Sequence, residues 1–257
     1  MSKILFLADL HGNMPATLAL EKEMERIKPD EVWFLGDAVG KGPENDKTLD
    51  WVRSNCNHYI KGNWDDGIVQ SSKLIASNGD QSIFNTEQLD KNYLEWLGML
   101  SFYVEQLGKE RLEWLESLPW EDEVLISGIN FRLIHGRPMD INYHPYLTMD
   151  ELNTGFTDIN KKLHGGFITA DCHMSYIREH DLGYAINTGS VGNSLGLPRC
   201  HALVIEGELG AEEPSPISMA TLSIPYDNEL AARIADDYDL PNREAYKTEV
   251  RTGVYSR

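Results

Sequence analysis

Six apolar, strand-like runs in this chain stop at an aspartate, a histidine or an asparagine, most with a glycine alongside. The run at residues 4–8 leads into Asp9 and His11, "EVWFLGD" ends in Gly36-Asp37, and "CNHYIKGN" ends in Gly62-Asn63. Later, "INFRLIHG" ends in His135-Gly136, "GFITADCH" ends in Asp171 and His173, and "GYAINTGS" ends in Asn187-Thr188-Gly189-Ser190. The early runs alternate with helical patterns. Pro15 suits a first helical turn, and Leu20, Met24 and Ile27 follow at helical spacing up to Pro29. "KGPENDKTLDWVRSN" again opens with a proline. Strand–helix alternation predicts a parallel sheet with helices on its faces. Sheets of that kind bind ligands at the C-terminal edge of their strands. The six polar endings therefore converge on one edge, and the adjacent glycines let backbone approach closely there.

After Pro119 the texture changes to short strands with glycine-rich turns, closed by a helix in "NELAARIADDYDLP". No repeat, low-complexity tract or linker interrupts the 257 residues, and 41% of them are apolar. The expectation is one domain, residues 1–257, built from two abutting sheets. Residues 86–118 read as helical throughout, with Tyr93, Leu94, Trp96 and Leu97 on one side, continued by Leu112, Leu115 and Leu118. That segment is a covering layer or a lid over an active site.

A net charge of -18 repels phosphate backbones and excludes a nucleic-acid polymer as partner. It admits a small anionic substrate wherever local positive charge is held. Cys56, Cys172 and Cys200 show no paired spacing, and "MSKILFLADL" lacks the parts of a signal peptide. No apolar stretch is long enough to span a bilayer. The expectation is a cytoplasmic protein without a membrane partner.

Oxygen and imidazole donors without thiolates suit manganese or iron, with zinc or cobalt as further options, better than copper or an iron–sulfur cluster. Two such ions about 3.5–4 Å apart need a carboxylate that bridges them. Asp37 is the candidate bridge, and a water shared by the ions would lose a proton readily and act as nucleophile. On an extended segment alternate side chains share a face. Asp171 and His173 would then face the site together while Cys172 packs away from it.

The set Asp9-x-His11, Gly36-Asp37, Gly62-Asn63, His135-Gly136 and the pair ending in His173 resembles the calcineurin-like metallophosphoesterase superfamily. "GDAVGKGPEND", "INTGSVGNSLGLPR" and "IPYDNELAARIADDYDLP" are similar to a bacterial cytoplasmic branch of it. The resemblance implies an α/β fold, a four-layer α/β/β/α sandwich with two central mixed sheets. It implies that Asp9, His11 and His173 hold one metal ion, that Asp37 bridges, and that Asn63, His135 and Asp171 hold the other.

Two departures bear on chemistry. The superfamily usually has Gly-His-x-His where this chain has Ala170-Asp171-Cys172-His173, so a harder carboxylate replaces an imidazole and favours Mn²⁺ or iron. It also usually has, at the position of Trp64, a histidine thought to protonate the leaving group. General acid catalysis contributes roughly 10²–10⁴-fold, and its loss matters least when the leaving group is already a stable phosphate anion. Trp64 therefore points to phosphoanhydride cleavage, with its ring either stacking on a nucleobase or packing in the core. Asp65 or Asp66 is the substitute acid. Arg137 and Arg199, beside the His135 and Ser190 turns, are the candidate phosphate anchors. The resulting expectation is a dinuclear phosphohydrolase acting on a dinucleoside polyphosphate such as diadenosine tetraphosphate. The alternatives are a phosphodiesterase, a small-molecule phosphomonoesterase, or a non-catalytic scaffold on the same fold.

Overall fold

The computed structural model describes residues 1–77, 99–136, 155–158 and 160–256. The described residues build two five-stranded sheets packed face to face. The first holds β1 (Ser2–Leu7), β2 (Glu31–Phe34), β3 (His58–Tyr59), β9 (Cys200–Gly207) and β10 (Ser218–Ile224), in the order β10-β9-β1-β2-β3. The second holds β4 (Glu121–Ile126), β5 (Ile129–Ile134), β6 (Gly166–Thr169), β7 (Tyr176–His180) and β8 (Gly183–Asn187), in the order β4-β5-β6-β8-β7. Both are mixed. β1, β2 and β3 run parallel while β9 and β10 return antiparallel. β5, β6 and β8 run parallel between antiparallel β4 and β7.

The apolar run of β1 is explained by burial on both faces. Ile4 and Phe6 point between the sheets, where they meet Phe131 and Leu133 of β5, Ile168 of β6 and Ile186 of β8. Leu5 and Leu7 point the other way, into a second core beneath the helices. Each such side chain taken out of water stabilises the fold by about 1.5–3 kcal/mol. The helical layer comprises α1 (Met14–Ile27), α2 (Asn45–Asn55), α3 (Asn63–Ala76), α4 (Ser101–Ser117), α5 (Asn228–Ile234) and α6 (Arg243–Thr252). Asn13 caps α1 by accepting from the Ala16 amide at 3.1 Å, with Pro15 in the first turn as expected.

Of the predicted helix at 86–118, residues 86–98 lie outside the described residues, including Tyr93, Leu94, Trp96 and Leu97. The described part is not one helix. Gly108 breaks α4 with φ 66° and ψ 174°, a conformation that costs glycine little. Tyr103, Leu107 and Leu115 are buried against α2 and α3, so this part covers the first sheet. Two elements were not expected: the edge strand β7, and α6, whose Tyr246 and Val250 are buried. On the outer face of the second sheet, Ile134, Phe167 and Ala185 pack with Phe156. Among the described residues no helix is long and apolar enough to cross a membrane.

Candidate metal centre

Strand pairing does not stop where β1 and β2 end. The Asp9 amide donates to Gly36 O at 2.9 Å and the His11 amide to Asp37 O at 3.3 Å. The loops after the two central strands thus stay zipped together, and they carry their acidic and imidazole side chains to one place. The backbone there is left-handed at each predicted ligand but two: Asp9 (φ 56°), His11 (47°), Asp37 (60°), Asp171 (62°) and His173 (58°). Such conformations cost non-glycine residues about 1–2 kcal/mol each, and persist where surrounding contacts over-determine them. The segment carrying Asp171 and His173 is therefore a tight turn, not the extended strand expected. The two side chains still enter the site and Cys172 is still packed away, with burial pushing its thiol up to about 12.

Glycine is required where the loops touch. A Cβ on Gly62 would lie 2.0 Å from Asp37 Oδ1, and one on Gly36 would lie 2.5 Å from the Gly62 amide nitrogen. These are the glycines of the Gly-Asp and Gly-Asn pairs.

Three histidines present themselves alike. Each has Nδ1 on a backbone carbonyl: His11 on Val39 O at 3.0 Å, His135 on Leu35 O at 2.7 Å and His173 on Asn193 O at 2.6 Å. A carbonyl only accepts, so Nδ1 carries a proton in each, and Nε2 is the atom that offers a lone pair to the interior whenever the ring is neutral. Nε2 of His11 and of His173 lie 3.2 Å apart, two lone pairs facing each other. Asp9 Oδ1 stands 3.8, 3.8 and 3.6 Å from Nε2 of His11, His135 and His173. Asp37 Oδ2 stands 3.6 and 3.4 Å from Nε2 of His11 and His135, and Asp171 Oδ1 is 3.7 Å from His135 Nε2.

Both Asp9 carboxylate oxygens and His135 Nε2 are buried without a hydrogen-bond partner. Buried charge and unmet lone pairs are expensive unless a cation satisfies them. The donor set therefore fits metal ions. It divides into two overlapping groups, Asp9–His11–His173 and Asp9–Asp37–His135, within each of which the donor atoms lie inside 4.8 Å of one another. Asp9 is common to both groups, and Asp37 Oδ2 also reaches a histidine of each.

Burial raises the Asp9 carboxyl well above its ordinary range, and the charges of Asp37 and Asp171 push it further. Burial opposes the His135 imidazolium, yet Asp37, Asp9 and Asp171 outweigh it and hold the ring well above its ordinary value. His173 goes the other way, held well below by burial and by the Lys41 charge.

Asn63 opens α3 beside Asp37: the Trp64 amide donates at 2.9 Å to Asn63 Oδ1 and at 2.9 Å to Asp37 Oδ1. Trp64 is half-buried, edge-on to His11 at 5.8 Å and to Tyr103 at 6.0 Å between centroids. Asp65, expected as a substitute acid, is fully buried. Its Oδ2 accepts from the amides of Asp37 at 2.8 Å and Gly62 at 3.0 Å, which ties the two loops together from behind. Burial, then the Asp37 charge, push it up to about 7. Arg199 donates to Ser223 O on β10 at 2.9 Å, toward the sheet edge and not toward Asp9. Arg137 lies outside the described residues. Among the described residues a cation whose charge acts on the centre is Lys41, which was not foreseen. The available signal was a lysine between two glycines, four residues after Asp37 in the same strand-end loop.

A family model described as calcineurin-like phosphoesterase matches residues 2–183. An uncharacterised protein of Methanocaldococcus jannaschii is 26% identical over 212 residues, 74% of this chain and 76% of that protein. A crystal structure of a metallophosphoesterase from Sphaerobacter thermophilus superposes with a TM-score of 0.70 at 21% identity, covering 98% of this chain and 99% of the other. A hypothetical protein from Pyrococcus horikoshii gives a TM-score of 0.72 at 18% identity, with both chains fully covered.

Proposed function

Because the chain belongs to the calcineurin-like phosphoesterase family and is a metal-dependent phosphoester hydrolase, we propose that its centre is dinuclear and that it cleaves a nucleotide phosphoanhydride. The observation that carries the dinuclear reading is the orphaned Asp9 carboxylate, shared by two donor groups that Asp37 also joins. We assign Asp9, His11 and His173 to one ion and His135, Asp171 and Asn63 to the other, with Asp37 between them. Bound there, the ions would supply Lewis-acid stabilisation of phosphoryl charge and would make water more acidic. Manganese or iron suits the oxygen-rich set. The carbonyls of Val39, Leu35 and Asn193 orient the three imidazoles, and Asp65 holds the Asp37 loop.

The anhydride preference rests on Trp64. Its ring stands edge-on to His11, at the position where the superfamily usually has a histidine thought to protonate the leaving group, and an indole N–H is far too weak an acid for that task. A dinucleoside polyphosphate expels a nucleotide that is already stable as an anion. The expected result of a substrate panel with Mn²⁺ is faster turnover of diadenosine tetraphosphate than of a cyclic nucleotide, an aryl diester or an aryl monoester. Preference for the aryl monoester would remove the argument. Trp64→His should accelerate diesters with basic leaving groups by about 10²-fold and leave the anhydride nearly unchanged. Equal effects on both would deny position 64 any part in leaving-group protonation.

A further inference from the structure

The matched family model stops at residue 183, and the chain beyond it still reaches the centre. After β8, residues 190–195 fold back over two predicted ligands. The amides of Val191 and Gly192 donate to Ala8 O at 3.0 Å and Asp9 O at 2.9 Å, and the Ser190 hydroxyl donates to Asp9 O at 2.9 Å. A Cβ on Gly192 would lie 1.8 Å from Leu10 O, so only glycine lets the loop lie this close to the Asp9–His11 segment. The Leu195 amide donates to His173 O at 3.1 Å, and the Asn193 carbonyl receives His173 Nδ1 at 2.6 Å. One loop therefore fixes both the backbone and the ring of His173.

The Asn193 side chain, fully buried, fixes that loop in turn. Its Oδ1 accepts from Lys41 Nζ at 3.3 Å, and its Nδ2 donates to Glu249 Oε2 at 3.1 Å. An ammonium only donates and a carboxylate only accepts, so turning the amide over would break both contacts. Glu249 is itself fully buried, although α6 buries only two other residues, Tyr246 and Val250. A carboxylate in such a place is costly unless its oxygens are satisfied. The other oxygen, Oε1, accepts from the Ser256 amide at 3.2 Å. The Gly196 amide donates to Gly253 O at 2.8 Å, which clamps the end of α6 to the same loop.

We propose that Asn193 and Glu249 are positioning residues for the His173 imidazole, through which the C-terminal helix sets the affinity for the ion assigned to Asp9, His11 and His173. The proposal rests on that assignment. The contacts run from the Glu249 carboxylate to the Asn193 side chain, and from the Asn193 carbonyl to His173 Nδ1. They hold the ring so that Nε2 faces Asp9 Oδ1 at 3.6 Å and His11 Nε2 at 3.2 Å. A ring already held in this way loses little freedom when an ion enters, and a loosened one must be ordered at the ion's expense. Removing partners that orient a ligand histidine weakens metal binding about 10- to 100-fold. His135 is oriented by Leu35 O instead, so the other ion should be affected much less.

The test is calorimetric titration of Mn²⁺ into the metal-free 257-residue chain, as wild type, Glu249→Gln, Asn193→Ala, the double variant and Val250→Ala, with the melting temperature of each. Glutamine keeps the size of Glu249 but offers one acceptor end where two N–H groups need acceptors, so one contact is lost. Val250→Ala removes packing from the same helix and leaves the Asn193 contact in place. Glu249→Gln and Asn193→Ala should each weaken one of the two Mn²⁺ sites about 10-fold or more. The double variant should be little worse than the weaker single one, since both changes break one chain of contacts. Val250→Ala should lower the melting temperature and leave both affinities as they were. Affinities within twofold of wild type in the two site variants would overturn the proposal. So would an equal loss in Val250→Ala, because the packing of α6 would then be responsible. Crystals of manganese-loaded wild type decide the matter without any variant. An ion on His173 Nε2 with Nδ1 still on the Asn193 carbonyl supports the proposal, and a ring turned away from that carbonyl ends it. Wild type that takes up a single Mn²⁺, held by His173, would overturn the dinuclear reading and leave this role standing.

Discussion

Asp37→Asn is expected to cut turnover by roughly 10³-fold, near the upper end of what one electrostatic group at a transition state contributes, and to lower the metal content from two equivalents toward one. Asparagine keeps the shape of the side chain and tolerates the left-handed backbone at φ 60° about as well as aspartate. The loop should keep its form, since Asp65 Oδ2 still receives the residue's amide at 2.8 Å and the His11 amide still reaches its carbonyl at 3.3 Å. What disappears is the negative charge between His11 and His135. One consequence separates this account from simple misfolding. In the metal-free protein the Asp37 charge presses on Asp9 and Asp65, raising both. Removing it relieves that repulsion but also withdraws the charge that holds the His135 imidazolium, so metal-free Asp37→Asn should melt within a few degrees of metal-free wild type, whereas a misfolded variant would melt far lower. Plasma emission, steady-state kinetics and scanning calorimetry on the same preparations check all three expectations. Two full equivalents of metal with near-normal turnover would show that Asp9 alone joins the two groups.

The sheets and the convergence of polar groups were legible because both follow from simple periodicities. Alternation between Ile4–Phe6 and Leu5–Leu7 divides the two cores, and each apolar run marks its own end by the residue that follows it. Backbone conformation was less legible. Asp171 and His173 reach the site through a left-handed turn that no side-chain period announces, so the expectation was right about direction and wrong about the path. The helical pattern across residues 101–117 likewise hid the break at Gly108, because apolar spacing survives a kink when both halves pack on the same core. Helix α6 escaped notice for the opposite reason: "REAYKTEVRT" is mostly polar, and its buried face is only Tyr246, Glu249 and Val250. Glu249 is where composition misleads most, since a carboxylate reads as surface until Asn193 and the Ser256 amide are seen to satisfy it, at 3.1 and 3.2 Å. Lys41 was overlooked on the same ground, and it took the fold to show which cation the loop had drawn inward.

Chelating the ions should be the most destabilising treatment short of denaturant, and its size should depend on pH with a definite sign. An ion present at a thousand times its Kd stabilises the native state by about 4 kcal/mol. For a chain of this length each kcal/mol is worth about 2–4 °C in Tm. Loss of even one ion should therefore lower the melting temperature by roughly 8–16 °C. In the metal-free protein Asp65 titrates at about 7 against an ordinary 3.8, so folding favours its protonated form. That contribution is complete at acidic pH and fades as pH rises through 7. The raised Asp9 and His135 act in the same direction. His173, held low, acts in the opposite one, but at the ordinary imidazole value of 6.5 the unfolded ring is already half neutral, so only a small remainder of its contribution is left to gain above that pH. The declining contributions of Asp65, Asp9 and His135 outweigh that remainder. The metal-free protein should accordingly melt lower at pH 8 than at pH 6.5. The loaded protein should melt higher at pH 8, because ions and protons compete for Asp9 and His135 and the protons are leaving. Scanning calorimetry at the two pH values, with Mn²⁺ or with chelator, gives four melting temperatures. If the chelated protein gains stability from pH 6.5 to pH 8, the buried carboxylates do not hold protons as this geometry requires, and the case for a cation-seeking cluster around Asp9 weakens with it.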